Sequence, residues 1–149
     1  MALSLQKAGI GLLGSIAFKE IKKNFGGELK LMLLGGAMLA PQLQSWGNAT
    51  MGCQVIQGYG LTEGIVCVQK SDFKSSNIGV PFKFIEYKLK DVPEMNYLAK
   101  NNQGELLVKG KSITQGYYKN EAANAEAFED GYYKTGDIVE IINTKDVFL

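Results

Sequence analysis

The residues best suited to chemistry lie at 57–63, Gln-Gly-Tyr-Gly-Leu-Thr-Glu, where two glycines bracket a tyrosine and a hydroxyl and a carboxylate follow at once. Glycine lets a backbone approach a ligand closely and takes positive φ without strain. That leaves Tyr59 to offer a ring face, Thr62 a hydroxyl and Glu63 a charge of the kind hard cations seek. The set suits a nucleotide carrying magnesium. A glycine-rich turn with a solvated Thr-Glu pair has the same composition, and short glycine motifs recur by chance, so the rest of the chain must separate the two.

Two other nucleotide signatures fail on spacing. Gly58-x-Gly60 has Glu63 where a dinucleotide fingerprint needs its third glycine. Gly110-Lys111-Ser112 looks like the end of a P-loop, but the upstream glycine is Gly104, which leaves five residues between them where the motif has four. Histidine is absent and there are two cysteines, so tetrahedral zinc sites and His-dependent nucleophilic triads are implausible within this chain. Chemistry here must lean on carboxylates, hydroxyls and backbone amides. A net charge of +1 gives no basic footprint for nucleic acid.

Cys53 and Cys67 sit among apolar neighbours without the count of a disulfide scaffold, which points to a reducing compartment; the setting expected is intracellular, cytoplasmic or on the cytoplasmic face of a membrane. No apolar run reaches the roughly 20 residues that span a bilayer, and the start, Met1 to Leu13, lacks the charged leader and cleavage site of a signal peptide.

The elements that would position the motif follow from periodicity. Ile10, Leu13, Ala17, Ile21 and Phe25 recur at helical spacing with Lys19, Lys22 and Lys23 toward another side, which predicts an amphipathic helix over 3–25 stopped by Gly26-Gly27. Its lysine-bearing face is the segment that membrane-surface contact would use. Leu29 to Leu34 reads as a strand buried on both faces, Pro41 opens a helix to about Thr50, and Cys53 to Ile56 is the next strand, delivering the glycines where the chain must turn sharply. Strand, helix and strand at this spacing form a parallel βαβ unit, whose loops at the strand carboxyl ends bind ligands.

After residue 72 the period changes. Phe84 to Lys90 alternates, with Ile85, Tyr87 and Leu89 on one face and Glu86, Lys88 and Lys90 on the other, as in a half-exposed antiparallel strand. Glu105 to Lys109, Tyr132 to Lys134 and Asp137 to Ile142 read as further strands, Asn120 caps a helix running to about Phe128, and Asn143 to Asp146 turns the chain into a last hairpin. The fold class is α/β, part of a parallel βαβ sheet unit over 1–72 followed by a small β-rich, distorted-barrel subdomain over 73–149. The polar stretch 70–77 is the boundary.

Three segments together carry a resemblance. Gln-Gly-Tyr-Gly-Leu-Thr-Glu (57–63), Gly-Glu-Leu-Leu-Val-Lys-Gly (104–110) with Gly-Tyr-Tyr-Lys (116–119), and Tyr-Lys-Thr-Gly-Asp (133–137) occur in an order and spacing that resembles the adenylate-forming enzymes. Phe25 to Ala37 and Lys88 to Tyr97 resemble, more closely, the long-chain fatty acyl-CoA synthetases of eukaryotes. The resemblance implies a ligase that uses ATP, magnesium and coenzyme A to activate a fatty acid. It implies that Tyr59 stacks on adenine, that Gln57 and Gly58 offer backbone groups to its edge beside Gly60, and that Gly35, Gly36 and Ala37 line a floor between adenine and acyl chain. Thr62 and Glu63 would be the catalytic positions, Thr62 bonding the α-phosphate and Glu63 holding magnesium. Asp137 would accept from both ribose hydroxyls. For Tyr117, Tyr118, Tyr132 and Tyr133 core packing is the expected role.

Departures are as informative. Met38 and Ala40 stand where the family often has proline and serine, and Gly64 follows Glu63 where a small hydroxyl residue is usual. The family's phosphate loop, hinge and catalytic lysine have no counterpart here, so the resemblance implies an interior slice of a longer synthetase, inactive alone and prone to self-association or domain swapping through open strand edges. A nucleotide-binding module without catalysis and a membrane-surface or partner-binding unit are the alternatives.

Overall fold

The computed structural model describes residues 18–70, 77–143 and 146–148. These fall into two compact units, one of 18–57 with Lys70, the other of 58–69 with 77–143 and 146–148. The polar stretch 70–77 lies outside the described residues between 71 and 76.

In the first unit a short helix, α1 (Lys19–Asn24), carries Glu20 in its first turn and Lys22 and Lys23 in its last, the order that suits the helix dipole. Gly26 and Gly27 end it, as the sequence predicts. The remainder of the helix expected over 3–25, up to residue 17, lies outside the described residues. Strand β1 (Leu31–Leu34), helix α2 (Pro41–Met51) and strand β2 (Gln54–Leu61) follow. Pro41 sits in the first turn of α2, and Gly52 closes the helix in the left-handed conformation at φ 65°, where a side chain would be strained.

β1 pairs in parallel with β2, from Leu31 opposite Gln54 to Leu34 opposite Gln57, with α2 as the crossover. This is the expected βαβ unit. Gln44 and Asn48, one helical turn apart on α2, reach β2: Asn48 Oδ1 accepts from Val55 N at 2.6 Å and Gln44 Nε2 donates to Val55 O at 2.8 Å. Backbone groups that β1 does not satisfy thereby find side-chain partners. Val55 is the one fully buried apolar residue described in this unit. The expectation that the first strand is covered on both faces is not met, because Leu31 and Leu33 are 50% and 60% exposed. Two-sided burial needs layers on both faces, and β2 is the one strand that pairs with β1 among the described residues.

In the second unit residues 58–61 of β2 pair antiparallel with β3 (Gly64–Val68), which pairs in turn with β4 (Val80–Pro81). A further antiparallel sheet runs in the order β5 (Ile85–Lys90), β6 (Gln103–Gly110), β8 (Tyr132–Asn143), β7 (Phe128–Glu129), with β9 (Asp146–Phe148) folded back on β8. β6 lies centrally, and Leu106, Leu107 and Val108 are buried in succession, as a strand covered on both faces requires. Val66, Cys67, Ile85, Leu106, Val108, Tyr133 and Val139 form the core. Helix α3 (Glu121–Ala127) starts where expected, Asn120 Oδ1 accepting from Ala123 N at 3.1 Å.

The strands expected at 132–134 and 137–142 are one strand, β8, broken by a bulge. Glu105 pairs with Ile138 and Leu107 with Lys134, so Thr135, Gly136 and Asp137 stand against Leu106 alone. Among the described residues no helix is long and apolar enough to cross a membrane.

Candidate functional site

The bulge in β8 creates the first half of the site. Thr135 Oγ1 donates to Leu106 O at 2.8 Å and accepts from Asp137 N at 3.1 Å, while Gly136 N donates to Glu105 Oε1 at 3.2 Å. Gly136 takes φ 73°, which a side chain would resist. Extra residues in a strand re-aim side chains, and here Asp137 is turned to where Tyr59 Oη donates to its Oδ2 at 2.5 Å, 78 residues away in sequence. Burial, and then the bond to Asp137, push the Tyr59 hydroxyl well above the ordinary tyrosine range, so it is a donor at every physiological pH. Asp137 itself is exposed and Tyr59 half-buried.

The glycines of the motif do not form the turn expected of them. Gly58 and Gly60 lie within β2, neither at positive φ, and the reversal falls at Thr62 and Glu63 between β2 and β3. Gly60 is needed for close approach instead: a Cβ there would lie 2.8 Å from Gly64 O and 3.1 Å from Ile65 Cα. Glycine inside a strand often marks such an approach. What the sequence places closely is the end of the parallel pairing, which stops at Gln57, the first residue of the motif.

The Thr62–Glu63 turn is the second half. Thr62 is exposed and Glu63 half-buried. Tyr117 Oη donates to Glu63 Oε1 at 2.6 Å and lies 3.4 Å from Tyr133 Oη. This bond to Tyr117 is the main cause holding the Glu63 carboxyl below the usual range, and the same bond raises the Tyr117 hydroxyl. At neutral pH Glu63 is therefore a carboxylate with unused lone pairs.

In the other unit Gly35, Gly36 and Ala37 follow β1 and are exposed, Gly36 at φ 89°. Gln57 is 2% exposed, and its side chain does what the sequence reading missed: Oε1 accepts from Leu39 N at 2.6 Å and Nε2 donates to Leu39 O at 3.3 Å. The buried amide pins the loop that carries the two glycines.

Tyr117 and Thr135 also hold the candidate site together, Tyr117 through Glu63 and Thr135 through the bulge, contacts that residue-by-residue reading missed. Both stand inside segments singled out in the sequence, but nothing local tells that Tyr117 meets a carboxylate 54 residues away. Of the four tyrosines expected in the core, Tyr133 is buried, whereas Tyr118 is 87% exposed. Among the described residues no cluster of three or more metal-ligating side chains exists.

With this geometry in view, the comparisons identify the class. Residues 8–118 match the family described as AMP-binding enzyme, and the chain belongs to that family. It is similar, more particularly, to long-chain-fatty-acid–CoA ligase 4 of Saccharomyces cerevisiae, 42% identical over 134 residues that make up 87% of this chain and 19% of that protein. To long-chain-fatty-acid–CoA ligase 1 of Homo sapiens it is 38% identical over 127 residues, 83% of this chain and 18% of that one. The chain thus spans about a fifth of the length of these relatives. Among solved structures it resembles the A-PCP didomain of carboxylic acid reductase from Segniliparus rugosus in complex with AMP, with a TM-score of 0.70 and 30% identity over 87% of this chain and 19% of that one.

Proposed function

We propose that this chain supplies the adenosine-binding and magnesium-facing side of an ATP-dependent long-chain fatty acyl-CoA ligase. The observation that carries the reading is the meeting of Tyr59 with Asp137, since it joins an aromatic ring to an acceptor-only carboxylate on a hydrogen-bonded bulge. Adenosine needs both, a plane to stack on and an acceptor for ribose hydroxyls. Tyr59 occupies one oxygen of Asp137, and the other keeps lone pairs for the sugar.

In the proposed reaction a fatty acid carboxylate oxygen attacks the α-phosphorus of ATP and pyrophosphate leaves. The coenzyme A thiol, as it loses its proton, then attacks the acyl carbon and AMP leaves with the former bond electrons. Thr62 offers its hydroxyl to the α-phosphate. Magnesium commonly takes one or two protein carboxylates and completes its shell with phosphate oxygens and water, and Glu63, ionised and half-exposed, fits that donor set. When bound, the cation would offset charge on the phosphates. Glu63 would hold it, and Tyr117 holds Glu63.

In the unit of 18–57, Gly35, Gly36 and Ala37 are proposed as a surface free of obstructing side chains, pinned by Gln57. The chain alone is proposed to bind nucleotide without turning over. An intracellular setting is supported by Cys53 and Cys67, both free thiols.

Calorimetric titration with a non-hydrolysable acyl-adenylate analogue tests the reading. Saturable binding that weakens about tenfold or more is expected both in Asp137→Ala, which loses a hydrogen bond to a charged acceptor worth about 1.5–3 kcal/mol, and in Tyr59→Ala, which loses a stacking face worth about 1–3 kcal/mol. Binding by the wild type that neither change affects would refute the assignment of these residues.

A further inference from the structure

The segment after β6 straps the Glu63 turn from outside. Ser112 Oγ donates to Ile65 O at 2.7 Å, Thr114 N donates to Glu63 O at 2.7 Å, and Tyr117 Oη reaches the carboxylate itself. Tyr117 is in turn fixed by α3, because Asn124 Oδ1 accepts from Tyr117 N at 2.6 Å while Asn124 Nδ2 donates to Tyr117 O at 3.0 Å. One side-chain amide thus satisfies both backbone groups of Tyr117, as a neighbouring strand would. The backbone of Glu63 is held by Thr114 and its side chain by Tyr117, so the direction of the carboxylate is over-determined.

We infer that Asn124 and Tyr117 form a relay from α3 that fixes the Glu63 carboxylate in one orientation, which makes Tyr117 the positioning residue for whatever Glu63 binds. The inference rests on the reading above, in which Glu63 faces the magnesium of a bound nucleotide. Without the phenol the carboxylate keeps its charge but regains rotamer freedom, and a ligand must then freeze it at an entropic cost. Partners that orient metal-binding side chains typically change metal affinity by about 10- to 100-fold when removed. A packing role alone predicts no such change, because Tyr117→Phe keeps the ring.

The test is the gain in affinity that magnesium gives a non-hydrolysable ATP analogue, taken as the ratio of dissociation constants in EDTA and in magnesium chloride. It is measured on the wild type and on Glu63→Gln, Tyr117→Phe, Asn124→Ala and Tyr118→Phe. The expected result is that Glu63→Gln abolishes the gain, that Tyr117→Phe cuts it by about 10-fold with affinity in EDTA unchanged, that Asn124→Ala cuts it less, and that Tyr118→Phe leaves it intact. Thermal unfolding measured alongside should show Tyr117→Phe folded as the wild type. A full gain in Tyr117→Phe with none in Glu63→Gln overturns the relay and leaves the functional reading standing. A gain that survives Glu63→Gln, or one missing from the wild type, overturns the role of Glu63 and the relay with it.

Discussion

Gly64→Ala sets two known effects against each other, and their sizes decide the sign. Gly64 opens β3 with φ outside the left-handed region, so alanine fits its backbone and would stabilise by about 0.4–1 kcal/mol through the unfolded chain. Against that, a Cβ at 64 would lie 2.4 Å from Ser112 O and 3.0 Å from Ile113 Cα. Carbon and oxygen need at least about 3 Å, so the hairpin and the strap must part by roughly 0.6 Å. The two bonds between them, Thr114 N to Glu63 O and Ser112 Oγ to Ile65 O, are 2.7 Å each, and would stretch to about 3.3 Å, beyond the usual limit for such bonds. Weakening both forfeits about 1–2 kcal/mol, and displacing Ile113 against its neighbours adds an overpacking cost of about 1 kcal/mol. The net expectation is a loss of about 1–2 kcal/mol, read as a lowered urea midpoint with an unchanged m-value. A variant as stable as the wild type, or more so, would show that the strap yields freely and would refute the claim that it grips the Glu63 turn.

Three further outcomes follow from burial, charge and exposure. Cys67 is fully buried, with its thiol pushed up to about 12 by that burial. Only about one part in ten thousand is then thiolate at pH 8, so a maleimide should label Cys53 in the native protein and Cys67 only on unfolding; equal labelling rates would contradict this. Glu129 is held below the ordinary 4.5 by its bond to Lys90, and Lys90 is raised above 10.5 by the same bond. The depressed carboxylate contributes stability above pH 4.5 that is lost as pH falls through its folded value, and the raised ammonium contributes below pH 10.5 and loses it above. The pair is half exposed, so any deficit of Lys90→Met in thermal melts should be small, salt-sensitive and flat from pH 5 to 10, vanishing in acid; a deficit that grows toward pH 3 would be inconsistent. Finally, Leu33 is 60% exposed on β1, which pairs with β2 alone among the described residues, and we propose that copies of the chain self-associate there. Sedimentation should show concentration-dependent oligomers that Leu33→Lys suppresses, and a wild-type monomer at all concentrations would exclude it.

The parts of the fold that were legible in the sequence are those with local causes. Pro41 opens α2, Asn120 caps α3, and the alternation over 85–90 marks β5, because each of these preferences acts within a few residues. The site was legible as positions but not as contacts. Tyr59, Thr62, Glu63 and Asp137 were singled out by type and motif, yet the turn was put at 58–60 when it falls at 62–63, because glycine in a strand and glycine in a turn look alike until the strand opposite is known. The crowding at Gly60 comes from Gly64 and Ile65 across the hairpin, a fact of pairing that composition does not encode. The same holds for β8, where Thr-Gly read as a break between strands and is a bulge facing one residue of β6.

This failure has a physical pattern. The burial expected of β1 failed for want of a covering layer, whereas the features missed around the motifs involve residues that depart from regular pairing and fix a side chain or a loop. The three-residue bulge turns Asp137 toward Tyr59. A buried glutamine pins the loop after β1, and a non-repetitive strap holds Glu63. Regular elements are legible because many residues agree on them, whereas each of these devices rests on one or two side chains whose partners lie from 18 to 78 positions away. A departure from periodicity flanked by chemistry-bearing residues is thus better read as a device for aiming a side chain than as the end of an element. By that rule Thr135, inside a motif but given no role, and Tyr117, assigned to core packing, are the residues that the motifs should have drawn into the site.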